Sequence, residues 1–310
     1  MKRIRARSIA AVALTALVMV ACSDDGDSNT EKAGKTVVIG SAPFSESIIV
    51  ANMYAGALQN AGYQVTVRKG LGQREIYLRA LQEGGANNGI DLVPEYVGTL
   101  LEYVNKNAGE ASGSLDDSVS KLRARLDGIG LVALNPSPAA DQNAFAVTKA
   151  TADRLKLKKL SDITPAIAAQ MTLGAGPECP ARPFCQPGLE KTYGQKYKAF
   201  RVLDSGGPKT MAALVAGDID VGLVFSSDGA VSARDLVVLE DDKKLQTVDN
   251  LIPAVRKDVV DDDIRKALNK VSSELTTADL IQLNRRADID KADPETLAKE
   301  WLQQHGITKK

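Results

Sequence analysis

The sequence predicts an α/β protein of two lobes joined by a hinge, with a ligand cleft between them. Three observations predict it. Strand-like and helix-like stretches alternate from residue 36 onward, and β-α-β alternation implies parallel sheets with right-handed crossovers. The alternation is punctuated at Asn135-Pro136-Ser137-Pro138, resumes as a second unit, and an apolar stretch at 251–255 reads as a strand returning to the first. The chain has 310 residues, 44% of them apolar, enough for two ordinary domains.

Residues 1–21 read as a secretory signal: Lys2, Arg3, Arg5 and Arg7, then an apolar stretch at 9–20 too short for a stable membrane span. Met19-Val20-Ala21-Cys22 resembles a bacterial lipobox, which makes Cys22 the expected lipidation site and new N-terminus. A plain signal peptide with Cys22 nearby by chance is the alternative. Residues 22–35 are polar and read as a tether to the lipid anchor. The first unit then offers a strand at 36–40, Ser45 as a helix N-cap, a helix at 46–60, a strand at 63–67 and a helix at 74–83. Gly70-Leu71-Gly72 lacks the third glycine of a nucleotide fingerprint and is read as a turn. A helix at 114–126 and a strand at 130–134 close this unit.

The second unit offers strands at 143–147, 172–175, 200–203, 219–225 and 236–239, with helices at 151–157 and 209–216 among them. Helices at 262–275, 277–286 and 294–305 end the chain, the last with proline near its first position. The expected boundaries are 36–139 plus 248–310 for lobe I and 140–247 for lobe II. Two crossing segments make the hinge, and closure about a ligand is the ordinary mechanics of such a pair.

The chain is organised around residues 89–99. The apolar run at 90–93 reads as a buried strand ended by Pro94, with Glu95 and Tyr96 on a turn and Gly98-Thr99 opening a helix. Open α/β sheets bind ligands at such strand–turn–helix junctions. Thr99 is placed to cap the helix or to give its hydroxyl and N–H to an anion. Tyr96 either offers its ring to a ligand or packs on the sheet.

Charge and cysteines narrow the function classes. Lysine plus arginine equals aspartate plus glutamate at 39 each, which argues against a nucleic-acid partner. Loss of residues 1–21, with four cations and no acids, leaves about −4. Cys179 and Cys185 are six apart in an exported chain, where a disulfide is the default, and two cysteines do not make a zinc site. The only histidine, His305, lies near the C-terminus, no Ser-His or Cys-His pair is available, and no phosphate loop is present. No enzyme, metal or cofactor is expected.

Ordered motifs from about 37 to 306 then resemble one family. These are Gly40-Ser41-Ala42-Pro43-Phe44-Ser45-Glu46, Ile90-Asp91-Leu92-Val93-Pro94-Glu95-Tyr96-Val97-Gly98-Thr99, Arg182-Pro183, Pro187-Gly188-Leu189, Gly217-Asp218-Ile219-Asp220-Val221, Ser226-Ser227-Asp228-Gly229, Leu239-Glu240-Asp241-Asp242-Lys243, Leu283-Asn284 and Asp293-Pro294. The family is the substrate-binding lipoproteins of glycine betaine/choline/carnitine (osmoprotectant) ABC importers. The resemblance implies a periplasmic-binding-protein-like fold, a quaternary ammonium held by aromatic faces, and a ligand carboxylate held by charged and hydroxyl donors. Its partners are a small-molecule ligand, a permease and, through the anchor, the membrane, with the protein a monomer.

Carried over by position, Tyr96 and Thr99 keep the expected chemistry. Phe145 and Phe225 stand where the family has tyrosine, and Gln186 stands at a further tyrosine position. Arg182 is expected to serve a carboxylate, or else to pair with Glu178. Ser45 and Ser47 complete the expected ligand set, Ser47 and Ala42 replacing a glutamine and a lysine. Asp228 is expected to organise its own turn. Gln186 would suit a hydroxylated neutral ligand, so a polyol or sugar is the alternative cargo, and a sensor lipoprotein without a transport role the alternative function.

Overall fold

The structure is a computed structural model and describes residues 35–204, 206–231 and 234–308. The signal, the tether and Cys22 lie outside the described residues. In chain order the elements are β1 (Thr36–Gly40), α1 (Ser45–Asn60), β2 (Gln64–Arg68), α2 (Arg74–Glu83), β3 (Leu92–Tyr96), α3 (Val97–Val104), α4 (Leu115–Asp127) and β4 (Leu131–Ala133). Then come β5 (Asn143–Thr148), α5 (Lys149–Leu155), α6 (Pro165–Ala168), β6 (Thr172–Ala175), α7 (Gln186–Gly188), β7 (Ala199–Val202), α8 (Pro208–Ala216), β8 (Val221–Phe225) and β9 (Leu236–Leu239). The chain ends with β10 (Leu251–Arg256), α9 (Asp262–Glu274), α10 (Thr277–Asp288) and α11 (Pro294–Gln304).

Two five-stranded sheets result, ordered β2-β1-β3-β10-β4 and β7-β6-β8-β5-β9. They share one plan. Three strands run parallel, and the strand that enters from the other lobe pairs antiparallel beside them: β10 against β3 and β4, β5 against β8 and β9. Helices cover both faces, so strand residues alternate between two cores. Leu92 faces α1, α9 and α11, while its neighbour Val93 faces α2, α3 and α4. In lobe II, Phe145 and Leu223 face one core while Ala146 and Val224 face the other.

The lobes are joined by two segments that hydrogen-bond to each other. Leu251 N–H donates to the Ala139 carbonyl, Asp141 N–H donates to the Asp249 carbonyl, and Ala140 and Asn250 form an antiparallel bridge.

Local readings are corrected in three places. Pro94 does not end its strand: β3 runs to Tyr96, so Glu95 and Tyr96 are strand residues and α3 follows without a turn. Pro94 is opposite Pro253 on β10 at a pair where neither nitrogen points at the other strand. Val97 N–H donates to the Asn250 carbonyl and Arg256 N–H to the Asp91 carbonyl, so the hydrogen-bonded pairs of this antiparallel ladder alternate with the proline pair and β3 and β10 lose no bond to each other there. Ser45 is not the cap of α1; Phe44 holds the cap position without a side-chain bond, and the Ser45 hydroxyl donates to Asp288 Oδ1 at 2.5 Å. Tyr63 precedes its strand and donates from its hydroxyl to Asp261.

Candidate functional site

A cleft of about 570 Å³ opens between the lobes. Lobe I supplies the β1–α1 loop, the start of α2 and the β3–α3 junction. Lobe II supplies the loop at 177–185, the segment before α8 and the end of β8. The rings of Phe44, Tyr77, Tyr96, Phe184 and Phe225 line it. Phe44 and Phe225 stack across the lobes with centroids 6.3 Å apart. Gly206 seats Phe225: its φ is +75°, and a Cβ there would lie 3.0 Å from the ring.

Of the expected residues, the fold brings Ser45, Ser47, Tyr96, Thr99, Arg182 and Phe225 to this cleft. It does not bring Phe145, which is 1% exposed and packs with Val147, Leu173 and Leu189 in the core of lobe II. Depth along the strand explains this: Asn143 and Phe145 share a face, but Asn143 at the strand end, beside Phe225, reaches the cleft while Phe145, two residues further in and beside Leu223, is covered by the lobe II core. Nor does it bring Gln186, which starts α7 and donates to Glu190 at 3.3 Å. The nearby cleft ring is Phe184, on the loop closed by the Cys179–Cys185 disulfide. Phe44 and Phe184 are wall residues that the sequence reading did not name; Phe44 lies inside a matched motif, and Phe184 falls between the Arg182-Pro183 and Pro187-Gly188-Leu189 motifs. Their shared signal is a loop aromatic directly after a proline, Pro43-Phe44 and Pro183-Phe184.

Charge is arranged as a shell of satisfied acids. Glu95 is fully buried and takes two parallel bonds from Arg74, both 2.8 Å, and a third from the Tyr77 hydroxyl. Burial alone would lower Arg74, but Glu95, together with Tyr77 and Asp249, holds the guanidinium well above its ordinary value. Arg74 also donates to Thr99 Oγ1 at 2.9 Å. In the first turn of α3, the Gly98 and Thr99 amides donate to Asp249 at 2.8 and 3.0 Å. Asp204 likewise accepts from the Lys209 and Thr210 amides at the start of α8. Both helix N-termini therefore already hold a protein carboxylate. The reading of the Thr99 N–H as an anion donor is thus corrected: Asp249 occupies it.

Arg182 is also corrected. It does not pair with Glu178; it crosses the cleft and donates to Glu75 Oε1 at 2.6 Å, with its guanidinium 5.7 Å from the Tyr103 ring centre. Behind the wall, Glu46 accepts from the Tyr96 hydroxyl at 2.6 Å, from Ser227 at 2.5 Å and from Asn284 at 2.6 Å. Burial pushes the Glu46 and Asp141 carboxyls up, and pushes Asp249 up to about 7. Asp228 turns its own loop, accepting from Ala230 N–H at 2.7 Å, as expected.

Residues 35–304 match the family described as the substrate binding domain of ABC-type glycine betaine transport systems. The chain belongs to that family. It is 30% identical to a glycine-betaine-binding protein of Pseudomonas aeruginosa over 287 residues, 88% of this chain and 89% of that one. It is 26% identical to the glycine betaine-binding protein YehZ of Escherichia coli, covering 90% and 93% of the two chains. A solved structure described as a glycine betaine/carnitine/choline ABC transporter aligns with a TM-score of 0.69 at 25% identity, over 87% of this chain and 99% of that one.

The protein is therefore an extracytoplasmic solute-binding protein of the osmoprotectant type, working with an ABC permease rather than catalysing a reaction. His305 stacks on Trp301 with ring centres 4.1 Å apart and does not line the cleft. Among the described residues no helix is long and apolar enough to cross a membrane.

Proposed function

We propose that this binding protein captures a small quaternary ammonium compound between its lobes and hands it to the permease. One observation carries the reading. Among the described residues, five aromatic rings line a cleft whose other residues include six acidic side chains (Glu102, Asp141, Glu178, Asp204, Asp249, Asp288), of which burial pushes Asp141 and Asp249 up, against three cations (Arg74, Arg182, Lys291). Ring faces and excess negative charge both favour a bulky, weakly hydrated cation. Phe44, Tyr96, Phe184 and Phe225 are the proposed walls. Thr99 and Ser47 accept from Arg74 and from the Ala42 amide, so their own protons remain to donate to a ligand oxygen.

The observations favour choline over glycine betaine as cargo, because Arg74, Arg182 and the two helix N-termini each already serve a protein carboxylate. A thermal-shift and calorimetric panel of choline, glycine betaine, carnitine, a polyol and a sugar tests this. A ligand at a hundredfold its Kd adds about 2.7 kcal/mol of stability. Binding of the polyol or sugar alone would overturn the reading.

The lobe boundaries 36–139 plus 248–310 and 140–247, the monomeric state and the Cys22 anchor belong to the same proposal. The basic, apolar and Met19-Val20-Ala21-Cys22 segments support the anchor. Intact mass of membrane-extracted protein is expected to show diacylglycerol on Cys22. A Cys22→Ala protein that stays on the membrane would exclude it.

A further inference from the structure

The Arg182 side chain bridges the two lobes. It rises from the disulfide-closed loop of lobe II, its side chain is 22% exposed, and it lines the cleft. Its partner Glu75 belongs to the first turn of α2 in lobe I, is half exposed, and does not itself line the cleft. The Tyr103 ring of α3 lies beside the same guanidinium. Glu75 therefore reaches in from outside and takes the one cleft-lining arginine that Glu95 does not hold.

We propose that Glu75 is the specificity-determining residue of this cleft: it acts as a built-in carboxylate that withholds Arg182 from the anionic end of a ligand. This deepens the quaternary ammonium reading and rests on it. An onium ligand without a carboxylate enters and leaves the interlobe pair intact. A zwitterion must either leave its carboxylate away from Arg182 or displace Glu75 and break the bridge. The exchange is close to even in number of bonds but not in geometry, because Glu75 is tethered to α2 and pays no association entropy. Lys291, the remaining cleft cation, is at the exposed rim and donates to the Asp288 carbonyl at 2.7 Å, so it offers a solvated charge and no planar fork.

The experiment compares the unmutated protein, Glu75→Gln and Glu75→Gln/Arg182→Ala, each titrated calorimetrically with choline and with glycine betaine at fixed salt. The expected result is a tenfold or greater rise in the betaine-to-choline affinity ratio in Glu75→Gln, cancelled in the double variant. A ratio that stays within twofold overturns the proposal and leaves Glu75 a rim ion pair. A second probe is independent of the cation site. Sodium acetate, against sodium chloride at equal ionic strength, is expected to raise the Tm of Glu75→Gln and of neither other protein. If the unmutated protein binds neither ammonium compound, the quaternary ammonium reading falls, and the acetate shift alone decides whether Glu75 guards Arg182. Absence of that shift then overturns the guard role too.

Discussion

At the scale of single residues, the cleft is built from charges that are already paired. Arg74 and Glu95 are the clearest case, with side chains 13% and 0% exposed and two bonds of 2.8 Å. Removing one partner strands a buried charge, so Arg74→Met is expected to cost about 3–5 kcal/mol in urea unfolding. Phe225→Ala removes a ring face and is expected to weaken a quaternary ammonium ligand by ~0.5–2 kcal/mol in calorimetry, with no loss for a neutral polyol. Asp249 sets a pH dependence. Burial raises its carboxyl from 3.8 to about 7, so between those values the folded protein holds a proton that the unfolded chain has released. That contribution is full below the lower value and is lost as pH rises through the upper one. A cation in the cleft favours the carboxylate, so ligand affinity is expected to rise from pH 5 to pH 8 with release of protons. Calorimetry in buffers of different ionisation heat measures the release, and Asp249→Asn is expected to reduce it.

At the scale of elements, two short pieces position the site. The loop from Cys179 to Cys185 carries both Arg182 and Phe184, and the disulfide shortens its freedom. Opening it by Cys179→Ser/Cys185→Ser is expected to cost about 2–3 kcal/mol of stability, read from thermal melts. The variant should also lose affinity, because two cleft residues lose their anchor. The second piece is the β3–α3 junction. A Cβ at Gly98 would lie 2.4 Å from Thr247 Oγ1 and 2.6 Å from the Val248 carbonyl, so glycine lets the crossing strand bring Asp249 onto the helix N-terminus. Gly98→Ala is expected to lower both Tm and affinity. The strand through Pro94 was not legible in the sequence, because a proline fits a strand only where its nitrogen is not needed by the neighbouring strand, and the register that decides this is set with β10, far along the chain.

At the scale of the whole molecule, the contacts between the lobes include Phe44–Phe225, Arg182–Glu75 and Glu46–Ser227, which differ in chemistry. Each contributes only when the lobes are together, so ligand binding is expected to be coupled to closure. Small-angle scattering of the unmutated protein is expected to show a smaller radius of gyration on ligand addition. An Arg182→Ala/Phe225→Ala variant is expected to remain more open at saturating ligand.

The sequence by itself determined the α/β class, the disulfide pair and the family, because periodicity, turn chemistry and ordered motifs are local or additive properties. It also placed Tyr96, Thr99, Arg182 and Phe225 at the cleft. Only the tertiary structure decided what these groups face. Its depth along β5 put Phe145 in the core, and the disulfide loop presented Phe184 in place of Gln186. Carboxylates distant in sequence, Glu75 and Asp249, took the donors that a ligand anion would have used. Those outcomes depend on which side chains the closed lobes bring within about 3 Å, the range of a hydrogen bond, and no spacing along the chain encodes that distance.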